Sequence, residues 1–412
     1  MTIQRQELEA WLRLTQSAGV GNVTARKLLG AFGVPEAIFT QSVSALQQVV
    51  SSAQVSALVA TPPELASLLA TTWDWLQHSA PDAHQRQVLT LGDAGYPQAL
   101  LELDDPPLML YLLGTAQFME NRPVTLDSQA LVAIDSVAKY LPIDRRRCLA
   151  VVGSRNPTPQ GAENARLFSK TLAQAGLTIV SGLALGIDGA AHEGALSSQA
   201  DHALTIAVVG TGLDRVYPKA HHTLAHRIAQ NGVIISEYPL GSAPISANFP
   251  RRNRLIAALS RATLVVEATL KSGSLITARL SAEQGKDVFA IPGSIHATQS
   301  RGCHALIKQG AKLVESVQDV LDEFSDIQSI AMTTVATEAR PSSVTGLFDQ
   351  EHMIREALGF DPVGLDALQA RTGLETAQLQ AVLMTLEMGG ELARLPGGLF
   401  QRLACSRDTR LL

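Results

Sequence analysis

Val151-Val152-Gly153-Ser154-Arg155, Val180-Ser181-Gly182-Leu183-Ala184-Leu185-Gly186-Ile187-Asp188, Val209-Gly210-Thr211-Gly212 and Lys271-Ser272-Gly273-Ser274-Leu275-Ile276-Thr277 share one pattern. In each, a turn rich in glycine, serine and threonine follows a short β-branched apolar run. Strand, small-residue turn and helix is how an open parallel sheet builds an anion site, because the free N–H groups of a helix start point at the ligand. Several such turns at one sheet edge favour a polyphosphate.

The runs recur on a regular beat. Leu149–Val152, Leu177–Ser181, Leu204–Val209, Val233–Ile235, Leu264–Glu267 and Val288–Ile291 read as strands whose starts lie 24 to 31 residues apart. That interval holds a strand, a crossover helix and two short loops, so the centre reads as a doubly wound α/β domain with a buried, mostly parallel sheet. Residues 85 to 113, with the strand-like Leu108–Leu113, add to its edge.

The ends read differently. Residues 1–75 show helical periodicity broken by Gly19-Val20-Gly21, Gly30 and Gly33, which predicts a small helical domain. Its glycine hairpin precedes a helix, either as a tight inter-helix turn or as a helix-hairpin-helix unit offering amides to a phosphate. Residues 326–349 lose apolar periodicity and read as a linker. Glu351–Leu358, Leu365–Thr372 and Glu375–Met388 then read as helices, and Glu391–Leu395 with Leu399–Leu403 as a hairpin over Pro396-Gly397-Gly398. Three helices and a hairpin outline a winged helix over 350–405. Residues 374 to 390 hold no Lys or Arg, so a protein contact is expected there in place of DNA phosphate.

A chain of 412 residues has room for this plan, since one core rarely serves more than about 250–300 residues. At 46% hydrophobic and 17% charged it is globular, and its net charge of −5 excludes coating nucleic acid by bulk charge. Any polyanion site must be a local basic patch. Cys148, Cys303 and Cys405 lie far apart, which disfavours disulfides and structural zinc and fits a reducing cytoplasm. No signal-like start or apolar run of about 18 residues occurs, so no membrane association is expected.

The patch is found between Tyr238 and Val266, which holds Arg251, Arg252, Arg254 and Arg261 and no acid. Planar guanidinium groups suit phosphate, although single members can instead pair with Glu237, Glu267 or a helix C-terminus. Arg155 follows the first central strand, at the carboxyl edge where ligands bind, and is the foremost phosphate candidate. Lys219 and Lys271 sit at comparable strand exits, each readable as a phosphate contact or as a solvated loop lysine. Charge reversal at Arg155, Lys219 or Arg252 is expected to leave the fold intact.

Catalytic readings are weaker. Asp188 reads as a helix-start cap, with His192 one turn on and no nucleophile beside them. Cys303-His304 reads as a small buried hydrophobe beside a histidine, and His221, His222 and His226 lack the ligands that complete a metal set. Gly285-Lys286 is followed by Asp287, so there is no phosphate loop for ATP, and Gly210-Thr211-Gly212 lacks the third glycine of a dinucleotide fingerprint. Neither a cofactor nor a catalytic residue is assigned.

In this order, Gly153-Ser154-Arg155, Ser181–His192, Gly210–Pro218, Asn248-Phe249-Pro250-x-Arg252-Asn253-Arg254, Lys271–Thr277 and Ile291-Pro292-Gly293 resemble the DNA-processing protein A family, also called Smf, over about residues 85 to 320. The flanking regions resemble its accessory domains. The resemblance implies an extended Rossmann-like domain over 85–325 between a SAM- or helix-hairpin-helix-like domain and a winged helix. It also implies binding of single-stranded DNA, homodimers, loading of RecA, action beside single-strand-binding protein and protection of incoming DNA in natural transformation, with no bond made or broken. Its basic pocket falls on Arg155, Lys219, Arg252 and Arg254, with Ser154, Gly182, Gly273 and Ser274 as backbone or hydroxyl contacts. An alternative is a phosphoribohydrolase-like enzyme on the same kind of domain. Its P-G-G-x-G-T-x-x-E signature is missing, and Pro396-Gly397-Gly398 continues Leu-Phe-Gln.

Overall fold

Apolar runs of four or five residues form the central strands. In the computed structural model, which describes residues 3–77, 84–115, 143–198, 204–324 and 348–403, every residue of β3 (Cys148–Val152), β4 (Thr178–Ser181), β5 (Thr205–Val209), β6 (Gly232–Ser236) and β7 (Ala262–Val265) is buried. Burial on both faces explains why these strands read as continuous apolar runs and not as alternating ones. The chain divides into two compact units, Met1–Ala150 with Val180–Leu183 and Asp201–Arg261, and Val151–Ile179 with Ala184–Ala200 and Ala262–Leu412.

In the first unit, the helices Arg5–Gln16, Asn22–Phe32, Ser52–Val59 and Leu65–Gln77 bury Leu8, Leu12, Leu28, Leu58 and Leu69 in one core. These apolar positions recur at helical spacing and line one face of each helix. The turn before Asn22 needs Gly19, whose φ of 72° lies in the left-handed region. The same core takes in Val88, Met109 and Tyr111 from β1 (His84–Thr90) and β2 (Met109–Thr115), a hairpin in register Val88↔Tyr111. β2 runs antiparallel to β6 (Leu112↔Ile235), and β6 runs parallel to β5 (Val208↔Ile235). The 85–113 segment thus adds to the sheet edge as expected, and does so antiparallel.

In the second unit, β7, β8 (Asp287–Ala290) and β9 (Lys312–Leu313) are parallel neighbours, with Leu264↔Phe289 and Phe289↔Lys312 in register. β9 is too short to carry a sequence pattern and was not anticipated. The helices Pro159–Gln174 and Ile187–Leu196 meet so closely that a Cβ on Gly194 would collide with the Arg166 carbonyl. Further on, the helices Phe348–Leu358, Leu365–Thr372 and Thr376–Met388 enclose Ile354, Leu368, Leu379, Leu383 and Phe400. They are joined by a small antiparallel sheet of β10 (Val363–Gly364), β12 (Leu399–Arg402) and β11 (Leu392–Leu395), in that order. Gly397 and Gly398, with φ of 85° and 71°, turn β11 into β12. This is a winged helix. Positions 326–347 of the expected linker, and Cys405, lie outside the described residues.

Candidate nucleic-acid interface

The expected site residues fall into two groups, one in each unit. In the second unit, the turn after β3 is held from three sides. Ser154 N–H donates to the Glu267 carbonyl (2.7 Å), Ile187 N–H to the Ser154 carbonyl (3.1 Å), and Asn156 N–H to Ser154 Oγ (3.1 Å). Gln299 adds a bond from Nε2 to the Asn156 carbonyl at 2.7 Å. Gly153 is required because a Cβ there would lie 2.6 Å from Ile187 Cγ1 and 2.9 Å from the Glu267 carbonyl oxygen. So fixed, the turn leaves Arg155 exposed and Ser154 buried.

Glu267, just past β7, anchors the neighbouring helix start. Its carboxylate accepts from Thr158 N–H (2.9 Å) and Thr158 Oγ1 (2.5 Å), and Thr158 Oγ1 in turn accepts from Gly161 N–H (3.0 Å). Burial pushes the Glu267 carboxyl above its ordinary range, against the two Thr158 donors. Val266 N–H donates to the Val152 carbonyl at 3.2 Å, so the chain leaving β7 runs beside β3. Next comes Lys271, exposed, and then the helix Ser274–Glu283, which has no side-chain cap. Ser272 Oγ and Ser274 Oγ are 2.7 Å apart, with Ser274 buried and Gly273 exposed. Arg155 and Lys271 are thus exposed cations in turns at the ends of neighbouring strands, the second of them at a helix N-terminus.

In the first unit the arginine-rich helix Asn248–Leu259 divides its charges. Arg252 is only 3% exposed and donates from Nη1 to the Val208 carbonyl at 2.6 Å. Its guanidinium fills the space above Gly182, where a Cβ would collide with Nη1. This corrects the expectation that Arg252 is an exposed group whose charge can be reversed without cost to the fold. Gly182, also buried, makes room for that side chain. Arg254 Nη2 lies 2.5 Å from Glu237 Oε2, with side chains 13% and 5% exposed, and 3.8 Å from Asp105. Pairing with Glu237, left open by the sequence, is therefore what the structure shows. Burial raises the Glu237 carboxyl above its ordinary range, and Arg254 and then Arg251 pull it back.

Arg251 has a side chain 50% exposed and 3.6 Å from Asp105, and Lys219 is exposed in the turn after Tyr217-Pro218. That turn is tied down by His221 Nδ1, 3.0 Å from the Leu183 carbonyl. Asn248 Nδ2 donates to the Gly210 carbonyl (3.1 Å), which seats the helix start at the end of β5. Asp105, Gln299 and the Val208 carbonyl were not anticipated, because each lies far in sequence from the group it holds.

The remaining candidates resolve as structural. Asp188, inside the first helical turn, reaches back to Ala184 N–H at 3.4 Å, and Gly186 holds the cap position with φ 83°. Cys303 is buried and its thiol is pushed up to about 12 by burial, far from thiolate chemistry. Among the described residues no group of three or more His, Cys, Asp or Glu could hold a metal ion, and no helix is long and apolar enough to cross a membrane. In the winged helix, Arg355 bridges Glu351 and Glu391, Arg371 binds the Ala357 carbonyl, and Arg394 and Arg402 lie over the Phe400 and Phe360 rings.

Comparison with known proteins adds a family. The profile described as DNA recombination-mediator protein A matches residues 140–325, and that described as the DprA winged helix domain matches residues 338–398. Protein Smf of Synechocystis sp. is 32% identical over 95% of this chain and 98% of its own. DNA processing protein DprA of Streptococcus pneumoniae is 44% identical over 56% of this chain and 72% of its own. The X-ray structure of DNA processing protein A from Streptococcus pneumoniae superposes with a TM-score of 0.58 at 33% identity, covering 79% of this chain and 99% of that one.

Proposed function

The chain belongs to the DNA recombination-mediator protein A family, and on that premise we propose that it binds single-stranded DNA through its strand-exit cations and delivers the coated strand to RecA. Its broader role is that of a DNA-processing recombination mediator with a mostly parallel α/β domain and a winged helix.

One observation supports the binding reading above others: exposed Arg155 and Lys271 stand in rigid small-residue turns at the ends of neighbouring strands. Cations so placed neutralise successive phosphates, and released counterions drive association. Lys219 and Arg251 are exposed cations of the same kind. Ser154, Gly182, Arg252 and Arg254 shape the turns and helix that carry them, and Gly273 is an exposed backbone contact for a phosphate. Phosphates carry no base identity, so the binding is independent of sequence.

The finer reading follows from the family. The protein protects incoming DNA during natural transformation, works beside single-strand-binding protein and acts as a cytoplasmic homodimer. Residues 1–75 form a helical domain, 85–325 the DNA-binding domain, 326–349 a linker and 350–405 a winged helix for protein contact. No catalytic step is part of this reading. Pro396-Gly397-Gly398 lends the hydrolase alternative no support, being the turn between β11 and β12.

The test is RecA-driven strand exchange on DNA already coated with single-strand-binding protein, with and without this protein. Loading predicts that the lag shortens with wild type and not with Arg155→Glu. An unchanged lag with wild type would rule out RecA delivery.

A further inference from the structure

The helix Thr376–Met388 is apolar on two opposite sides. Its inner side is set by Leu379, Val382, Leu383 and Leu386, none more than 8% exposed, in the core of the winged helix. On the other side Ala377, Ala381, Met384 and Met388 recur at spacings of three and four residues, so they share one face. All four are exposed, Met384 at 64% and Met388 at 81%. Exposed polar residues bound the stripe, Gln380 and Glu387 along one flank and Gln378 and Thr385 along the other. A surface helix ordinarily turns charged residues outward, and a helix that is apolar all round belongs in an interior. This one has the composition of a buried element, yet among the described residues it is covered on one side only.

We propose that this outward face receives an amphipathic helix of a partner protein, apolar along one side and carrying lysine or arginine at its flanks. Such a partner deepens the protein-contact reading of residues 350–405, on which the proposal rests. Methionine is unbranched and polarisable, adapts to an apolar ridge, and is enriched at interface cores where Lys and Glu are scarce. Beside it, the small side chains of Ala377 and Ala381 let the partner backbone come close. Charge selects the occupant. The helix and the residue before it hold Glu375 and Glu387, both exposed, and no Lys or Arg. Between residues 351 and 402, seven acids stand against four arginines. Arg355 is neutralised by Glu351 and Glu391, while Arg371, Arg394 and Arg402 are held against a carbonyl or a ring of the same module. A nucleic acid would find no lysine or arginine on this helix for its phosphates, and a second copy would bring the same excess of acid to the contact. Basic flanks complement it.

The experiment titrates the full chain into labelled helical peptides and reads fluorescence anisotropy. The probes are an amphipathic peptide of leucine and lysine, its counterpart of leucine and glutamate, and the first peptide with its order scrambled. The basic amphipathic peptide should bind best. The double variant Met384→Gln, Met388→Gln should lower its affinity roughly tenfold, the loss of two methionine contacts. Both side chains are exposed, so the melting temperature and oligothymidine affinity of the variant should match wild type. Failure of wild type to bind the basic peptide, equal binding of all three peptides, or full affinity in the double variant would overturn the proposal. Sedimentation of the full chain tests the second copy: wild type and double variant should have the same mass. A smaller species in the variant would assign the face to another copy of this chain and overturn the choice of partner. If the double variant instead loses affinity for duplex DNA, the winged helix contacts nucleic acid, and the protein-contact reading falls with the proposal.

Discussion

The helix Asn248–Leu259 carries three arginines within four positions, yet the fold claims two of them: Arg252 is spent on the Val208 carbonyl and Arg254 on Glu237. The turn Gly153-Ser154-Arg155 carries a single arginine, and its backbone is so completely bonded that Arg155 is left exposed. The denser cluster thus exposes no more arginine than the sparser turn: Arg251 alone, 3.6 Å from Asp105. Arginine density in a sequence measures charge present, and burial decides how much of it can reach a phosphate. A buried guanidinium is retained by its acceptors, because separating the two leaves an uncompensated buried charge.

Reversing Arg252 should have the largest effect on this contrast between helix and turn. Arg252→Glu places a carboxylate beside the Val208 carbonyl in a buried site, and a loss of about 3–5 kcal/mol in stability follows from leaving a buried charge uncompensated. Urea unfolding measures it, and an undisturbed midpoint would show that the arginine is not a structural part of the helix. Gly182→Ala should cost less, about 1–3 kcal/mol, because the new Cβ must displace the same guanidinium.

Arg155→Glu probes the contrast from the other side. Its melting temperature should match wild type, while oligothymidine affinity falls by roughly tenfold and the slope of log K against log salt shrinks by about 0.7, the share of a single phosphate. Removing residues 345 onwards should change that affinity by less than about threefold, since the helix Thr376–Met388 carries no Lys or Arg. A large drop in affinity on this deletion would place DNA on the winged helix.

The smallest expected effect is one of pH. Folding raises the Glu267 carboxyl above its ordinary range, so the folded state holds that proton more tightly than the unfolded one. Its contribution is fully present below the ordinary glutamate range and is lost as pH rises through the raised value. The stability difference between wild type and Glu267→Gln should therefore shift against wild type as pH climbs through that window, and a constant difference would show that Glu267 titrates normally.

Much of the fold was legible because doubly buried strands must be apolar throughout. The runs at 149–152 and 204–209 needed no context, and β3 and β5 lie within one residue of them. β1 was harder, since His84–Thr90 is largely polar, and β9 has two residues. In the site, Arg155 could be read from its own glycine turn. Arg252 could not, because the carbonyl it binds lies 44 residues away. Arg254 was half legible: Glu237 is 17 residues off and was visible as a possible partner, while the contribution of Asp105 required the fold.

Whether exposed strand-exit cations bind single-stranded DNA is decided by fluorescence anisotropy of labelled oligothymidine and a matching duplex over a salt series, with wild type, Arg155→Glu, Lys219→Glu and Lys271→Glu. Phosphate binding at the strand exits predicts tight, salt-sensitive binding to the single strand, with reduced affinity and slope in each variant and melting temperature unchanged. Wild-type affinity in all three folded variants would contradict it.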